Sequence, residues 1–288
     1  MLKAAVVFHH PESEGAIALA REVVREFERR SIPVEFGDAW APGDWATPLS
    51  QAGIVICIGG DGTVLRAARL GTPYEVPLLG VNMGRLGFLT DMSPGELFSH
   101  FERIVAMDWR LEERVMVHGE ISPTPADGLP EYDGLNDIVL SRRSPGRPIY
   151  VDVRIDGEAL AIYRCDSIIV STPTGSTGYS LSAGGPIMAP TEHHLVVTPV
   201  SAHLALGRSI VLPYSSVVEL RVTSDHGAIV SVDGQDDLHV TSETVVTLGM
   251  SKHVTRFVRF DEPSSFFGRL AEKLEFQLSS AMNQSQRA

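Results

Sequence analysis

Apolar positions along the first hundred residues alternate between two periods. Lys3 to Phe8 is a short valine-rich run. Between Glu12 and Arg30 the apolar residues Ile17, Ala20, Val24 and Phe27 recur at helical spacing, so the pattern predicts a strand and then a helix. Pro33 to Phe36 and Gly53 to Ile58 are further short apolar runs, and the second, β-branched and uncharged, suits a strand covered on both faces of a parallel sheet. Pro77 to Asn82 predicts another strand. Ser93-Pro94-x-Glu96 starts a helix running to about Met107, with an N-cap, proline at N1 and an acid in the first turn.

From Leu111 the helical period is lost. Short β-rich runs follow at Asp137–Ser141, Ser167–Ser171, His194–Thr198, Val217–Thr223, Ala228–Val232, Thr244–Leu248 and Val254–Phe260. Asp156-Gly157 divides VDVRIDGEALAIY into two alternating strands, as a type I′ hairpin turn would. ADGLPEYDG reads as a loop. Phe267, Leu270, Leu274 and Leu278 line one face of a closing helix, and the polar NQSQRA ends as a frayed tail. The expected class is α/β plus all-β, with a β-sandwich-like second half.

Composition narrows the chemistry. The chain has 288 residues and a formal charge of −12, which disfavours nucleic acid and anionic membranes as partners. No stretch has the roughly 18 apolar residues a membrane span needs. Cys57 and Cys165 sit inside apolar runs, where a buried reduced thiol and a cytosolic location are expected. The adjacent pairs His9-His10 and His193-His194 point apart on strands and predict no metal.

Three constellations could carry chemistry. Gly59-Gly60-Asp61-Gly62-Thr63 lies between a buried strand and a helix, where open α/β sheets place ligands and where backbone amides can meet a phosphate. It has neither the lysine of a P-loop nor dinucleotide G-x-G-x-x-G spacing. Its central carboxylate suits phosphoryl transfer, with Asp61 as base or ligand organiser; a tight turn with an N-cap aspartate is the alternative. Ser171 to Pro186 (STPTGSTGYSLSAGGP) combines hydroxyls, glycines and Tyr179 without charge. It could bind a sugar, its phosphates and a base, or be a flexible linker. Asn136-Asp137, with Arg164 and Asp166, could hold ribose hydroxyls, or open a strand as an Asx-turn.

Taken together, GGDGT at 59–63 and STPTGSTGYSLSAGGPI at 171–187 resemble the NAD kinase family. VNMGRLGFL at 81–89, LNDIVLSR at 135–142, RCDSIIV at 164–170, the segment from His203 to Arg208 and VDGQ at 232–235 extend the likeness over most of the chain. The resemblance implies a Rossmann-like N-terminal domain (1–108), a β-rich NAD-binding domain (109–262) and a closing helix and tail (263–288) packing back on the first domain. It implies transfer of the γ-phosphate of ATP to the 2′-hydroxyl of the adenosine ribose of NAD, with magnesium carried mainly by ATP. A homodimer or homotetramer is implied as well.

By the same likeness Asp61 is the proton acceptor, with Gly59, Gly60, Thr63 and Arg66 on the donor side. NAD would be held by Gly62, Asn136, Asp137, Arg147, Arg164, Asp166, Thr174, Gly175, Ser176, Thr177, Gly178, Tyr179 and Gln235. Asp137 stands where glutamate is common, Gly178 where alanine is usual and Ser167 where glycine is usual. Arg164 suggests ATP rather than polyphosphate as donor. A lipid or other small-alcohol kinase and a non-catalytic dinucleotide sensor are the competing readings.

Overall fold

The computed structural model describes residues 1–271 apart from 42, 85–86, 91, 126–127, 145, 203–206, 225–226, 236, 261–265 and 269. The first half alternates strand and helix. β1 (Ala5–His9) leads into α1 (Glu14–Arg29), whose N-cap Ser13 accepts a hydrogen bond from the Ala16 amide. β2 (Val34–Asp38) is followed by a short α2 (Ala46–Gln51), an element the apolar pattern does not reveal. Trp45 precedes α2 and packs edge-on against Phe8, with ring centroids 4.7 Å apart. Fully buried β3 (Ile54–Gly59) turns directly into α3 (Asp61–Gly71), and β4 (Leu78–Asn82) completes a parallel sheet ordered β2-β1-β3-β4.

The helix expected from Ser93 to Met107 is two: α4 (Pro94–Ser99) and α5 (Phe101–Ala106). The reciprocal Ser93–Glu96 capping box starts the first, as the sequence predicts. At His100 the ring Nδ1 donates to the Glu96 carbonyl oxygen at 2.9 Å, competing for a helical acceptor, and the chain bends there. Met107, at φ 59°, ends the second helix.

The second half is two packed sheets. β5 (Arg110–Ser122) pairs with β6 (Glu131–Gly134), which corrects the loop expected over ADGLPEYDG: Tyr132 is buried, and its hydroxyl accepts the Leu129 amide at 2.6 Å. β7 (Asp137–Arg142), β8 (Ile149–Ile155), β9 (Glu158–Cys165) and β10 (Ser167–Ser171) follow. Between β8 and β9, Asp156 and Gly157 take φ 52° and 81°, the left-handed pair a type I′ turn requires.

After β10 come a 3-10 turn over Gly175–Thr177 and the short α6 (Tyr179–Ser182). Then come β11 (His194–Val200), β12 (Ile210–Pro213), β13 (Val218–Val222), β14 (Ala228–Val232) and β15 (Leu238–Val240). The two strands expected at 244–248 and 254–260 are one, β16 (Val245–Arg259). It pairs with β5 along nearly its whole length, and a bulge between Met250 and Val254 absorbs the glycine and serine that read as a break.

β12-β11-β10-β7-β14-β15 form one sheet. Its apolar face meets β8, β9, β13 and the ends of β5 and β16 across a shared core that includes Val151, Tyr163, Ile168, Val197, Leu220 and Leu248. That is the sandwich. The outer end of β16 enters the other sheet beside β4, Phe257 pairing in parallel with Leu78, so one sheet runs through both halves. α1, α4 and α5 cover one face of the parallel part and α3 the other. The closing helix is seen at 266–268 and 270–271; Leu274, Leu278 and the tail lie outside the described residues, as does 203–206 of the segment from His203 to Arg208.

Candidate active site

β3 ends in Gly59, and α3 begins at Asp61 with Gly60 as its N-cap, so the GGDGT loop is the carboxyl edge of the parallel sheet. Both oxygens of the Asp61 carboxylate are engaged by one neighbouring loop. Oδ2 accepts the Phe88 amide at 2.8 Å and Oδ1 the Leu89 amide at 3.1 Å. The loop can approach this closely because residue 87 is glycine: a Cβ there would lie 1.8 Å from Asp61 Oδ1. Above Gly60 and Gly62 the space is open, with nothing within 4 Å of a Cβ at either position. Thr63 is buried beneath Gly59 and supports the loop from below. Arg66, one turn along α3, stacks its guanidinium over Trp40 at 4.8 Å from the ring centroid.

The second glycine-rich motif is an ordered turn threaded by its own hydroxyls. Thr172 Oγ1 donates to the Leu135 carbonyl at 2.6 Å and accepts the Gly175 amide at 3.1 Å. Ser176 Oγ donates to the Pro173 carbonyl at 2.7 Å and accepts the Met188 amide at 3.0 Å. Gly175 lies flat on the neighbouring strand entry, where a Cβ would come within 2.0 Å of the Asn136 carbonyl oxygen. Residues 171–178 and Asn136-Asp137 are thereby one unit, which excludes the linker alternative. Tyr179 is 46% exposed and lines, with Asn136, Asp137, Ser141, Ser231 and Asp233, a cleft of about 450 Å³. Its walls are mostly polar, unlike the apolar pocket a lipid acceptor needs.

Asp233 was not singled out by motif reasoning, although it lies within VDGQ. At φ 51° its carboxylate turns back to accept the amides of Leu135, Asn136 and Asp137 at 2.8, 2.7 and 3.1 Å. It therefore sets the backbone that presents the asparagine and its neighbour. A left-handed aspartate before a glycine was the available signal. Burial, and secondarily the charge of Asp233, push the Asp137 carboxyl from 3.8 up to about 7. Burial raises Asp233 as well, against the lowering by its three amide donors.

The two motifs meet where Phe88, whose amide holds Asp61, shares a small cavity with Thr174 and Thr177. Arg114 and Phe266 of the closing helix line the same cavity. Arg114 is 2% exposed; its Nη1 lies 3.4 Å from Thr174 Oγ1 and its Nη2 2.5 Å from Glu112. Other expected residues stand further out. Asp166 pairs with Arg142 at 3.3 Å, Arg164 lies on β9 beside Tyr150, Gln235 closes the turn after Asp233, and Arg147 is exposed on the turn before β8. Among the described residues no three His, Cys, Asp or Glu side chains gather as metal ligands.

Comparison with known proteins agrees with this geometry. Residues 48–109 match the ATP-NAD kinase N-terminal domain and 135–260 the ATP-NAD kinase C-terminal domain. An NAD kinase of Heliobacterium modesticaldum is 42% identical over 79% of this chain and 80% of its own. One of Dehalococcoides mccartyi is 34% identical over 96% of this chain and 97% of its own. Among solved structures, yeast NADH kinase complexed with NADH shares the fold, with a TM-score of 0.78 at 23% identity over 96% of this chain and 88% of its own. An NAD kinase from Archaeoglobus fulgidus in complex with ATP has a TM-score of 0.76 at 26% identity, covering 94% and 98%. With both domain families matched in order and relatives aligned almost end to end, the chain belongs to the NAD kinase family.

Proposed function

We infer that this chain is an NAD kinase, transferring the γ-phosphate of ATP to the 2′-hydroxyl of the adenosine ribose of NAD to give NADP. The observation that carries the site assignment is the Asp61 carboxylate, held by the Phe88 and Leu89 amides at the junction of the two glycine-rich motifs. In the reaction the 2′-oxygen attacks the γ-phosphorus, its proton passes to Asp61, the bond from phosphorus to the β-bridging oxygen breaks, and ADP leaves. The open face above Gly60 and Gly62 receives the donor phosphates, with Gly59 and Thr63 shaping the loop beneath. Asn136 and Asp137 take the adenosine ribose, the turn from Thr174 to Gly178 supplies backbone and hydroxyl contacts, and Tyr179 offers its exposed ring to a base. Arg147, Arg164, Asp166 and Gln235 contribute outer NAD contacts.

Magnesium is assigned to the phosphates of ATP, since Asp61 keeps lone pairs free beside them while no three-ligand protein group gathers among the described residues. Bound there, it would neutralise charge on the transferring group. Residues 1–108 and 109–262 serve as the two lobes of the cleft, with the helix from 263 onward packing back on the first. A second copy would cover edge strand β9, where Ile162 is 61% exposed and Leu160 38%, giving a homodimer or homotetramer. A cytosolic location fits the free, buried Cys57 and Cys165.

The test is a coupled assay with NAD, ATP and magnesium, reading NADP through an NADP-specific dehydrogenase. Asp61→Asn is expected to lower turnover about 10²- to 10⁴-fold. Undiminished turnover would remove Asp61 as the base.

A further inference from the structure

The parallel sheet order β2-β1-β3-β4 places its topological switch between β1 and β3, because the chain leaves β1 towards β2 on one side and reaches β3 on the other. Ligands of open α/β sheets lie in the crevice at that point. Here one wall is Gly59-Gly60-Asp61 and the other is His10, whose amide donates to the Ile58 carbonyl at 3.0 Å. A Cβ on Gly59 would lie 3.4 Å from His10 Cβ, so the two walls touch at their base.

Three side chains stack above this crevice. The His10 ring lies 5.0 Å from Trp40, and the Arg66 guanidinium lies on Trp40 at 4.8 Å. Trp40 is fixed from below: its own amide and that of Ala41 both donate to Asp38 Oδ1, at 2.7 and 2.6 Å, which pins the turn leaving β2. Arg66 has no carboxylate partner among the described residues, so its N–H donors are not committed to an ion pair. The Glu12 amide donates to His10 Nδ1 at 3.2 Å, which makes Nδ1 the acceptor and leaves the proton on Nε2 as a second donor. Two donors thus flank one aromatic plane, next to the loop whose upper face is open.

We propose that His10, Trp40 and Arg66 form the subsite for the phosphate tail of the nucleoside triphosphate donor, with Arg66 and His10 donating to phosphate oxygens and Trp40 positioning both. The proposal rests on the NAD kinase reading for the identity of the donor. The phosphate chemistry is carried by an unpaired guanidinium, which suits phosphate oxygens in fork geometry, and by a cation–π contact that aims it.

The experiment measures calorimetric binding of inorganic tripolyphosphate and of a non-hydrolysable ATP analogue, each with magnesium, to the full chain. Arg66→Gln is expected to weaken both about tenfold or more, as loss of a charge-assisted hydrogen bond does. Trp40→Ala should weaken both about three- to thirtyfold, and Trp40→Phe should restore most of the loss. In turnover, KM for ATP should rise more than kcat falls, while KM for NAD holds. A merely structural Trp40 would shift both KM values together.

Unchanged tripolyphosphate binding in Arg66→Gln and Trp40→Ala overturns the subsite, as does weakening confined to the nucleotide, which would mean base stacking instead. If Trp40→Ala does not fold, Arg66→Gln and Trp40→Phe carry the test. NADP formation by the unaltered protein is measured alongside. Its absence with variant-sensitive tripolyphosphate binding would sink the activity and leave the subsite standing; the reverse would sink the subsite alone.

Discussion

Asp61 is one of the few residues whose role follows from the loop that holds it as much as from its own chemistry. Its two oxygens are fixed by amides from residues 88 and 89, and only a glycine at 87 lets that backbone approach. Gly87→Ala must push the loop off the carboxylate. We expect kcat to fall at least about tenfold, because misplacing a catalytic group by an ångström is costly, with the circular dichroism spectrum unchanged. Asp137 gives a second residue-scale test. Its folded pKa, near 7, lies above its ordinary 3.8, so between those values the folded chain binds more protons than the unfolded one. Stability from this group is therefore complete below about pH 4 and is lost as pH rises through 7. Asp137→Asn should raise Tm relative to the parent at pH 8 and change it little at pH 5; an equal shift at both values would exclude burial of the charge as the cause. At this scale the sequence revealed Asp61, Asn136 and the hydroxyl-rich motif, because each lies in a local pattern. It did not reveal Gly87 against Asp61 or Asp233 against Leu135, since those contacts join positions remote in the chain.

Among elements, β5 and β16 do most to join the parallel sheet to the sandwich, and their crossing is held by a buried charge cluster. Burial would raise the Glu112 carboxyl, but the charges of Arg259 and Arg114 and their hydrogen bonds outweigh it and hold the group below its ordinary range. Arg114 and Arg259 also lie against opposite sides of the bookkeeping between strand and core, each with its guanidinium over Phe257, at 5.6 and 5.0 Å. Glu112→Gln leaves two buried cations short of their counter-charge. We expect a loss of about 3–5 kcal/mol in a urea titration, the range typical of broken buried ion pairs. A loss below about 1 kcal/mol would mean the cluster behaves as a surface pair. The hairpin at Asp156-Gly157 was readable because its turn chemistry is local. The continuity of β16 was not, because Gly249 and Ser251 resemble a turn until β5 is known to run alongside both halves.

At the scale of the whole molecule, the change of period near Leu111 correctly divided helix-rich from strand-rich sequence. What it could not show is that one sheet crosses that division, since Leu78 and Phe257 carry no mark of being neighbours. Leu135 illustrates the same coupling: it precedes the NAD-side Asn136 yet is buried in the core beneath α3, with Val64 and Phe257. Two lobes sharing a strand and a core should melt together. Scanning calorimetry is expected to give one cooperative transition, and two resolved transitions would show that the lobes unfold independently.

The shared strand also imposes an order on synthesis. β1 to β4 leave the ribosome early, but the strand that covers the β4 edge is almost the last to emerge. Until then Leu78 and its neighbours present an open backbone edge, the kind that recruits other chains. A nascent chain of this protein therefore depends on protection until nearly its whole length has been made, and a fragment ending after α5 should be prone to aggregate.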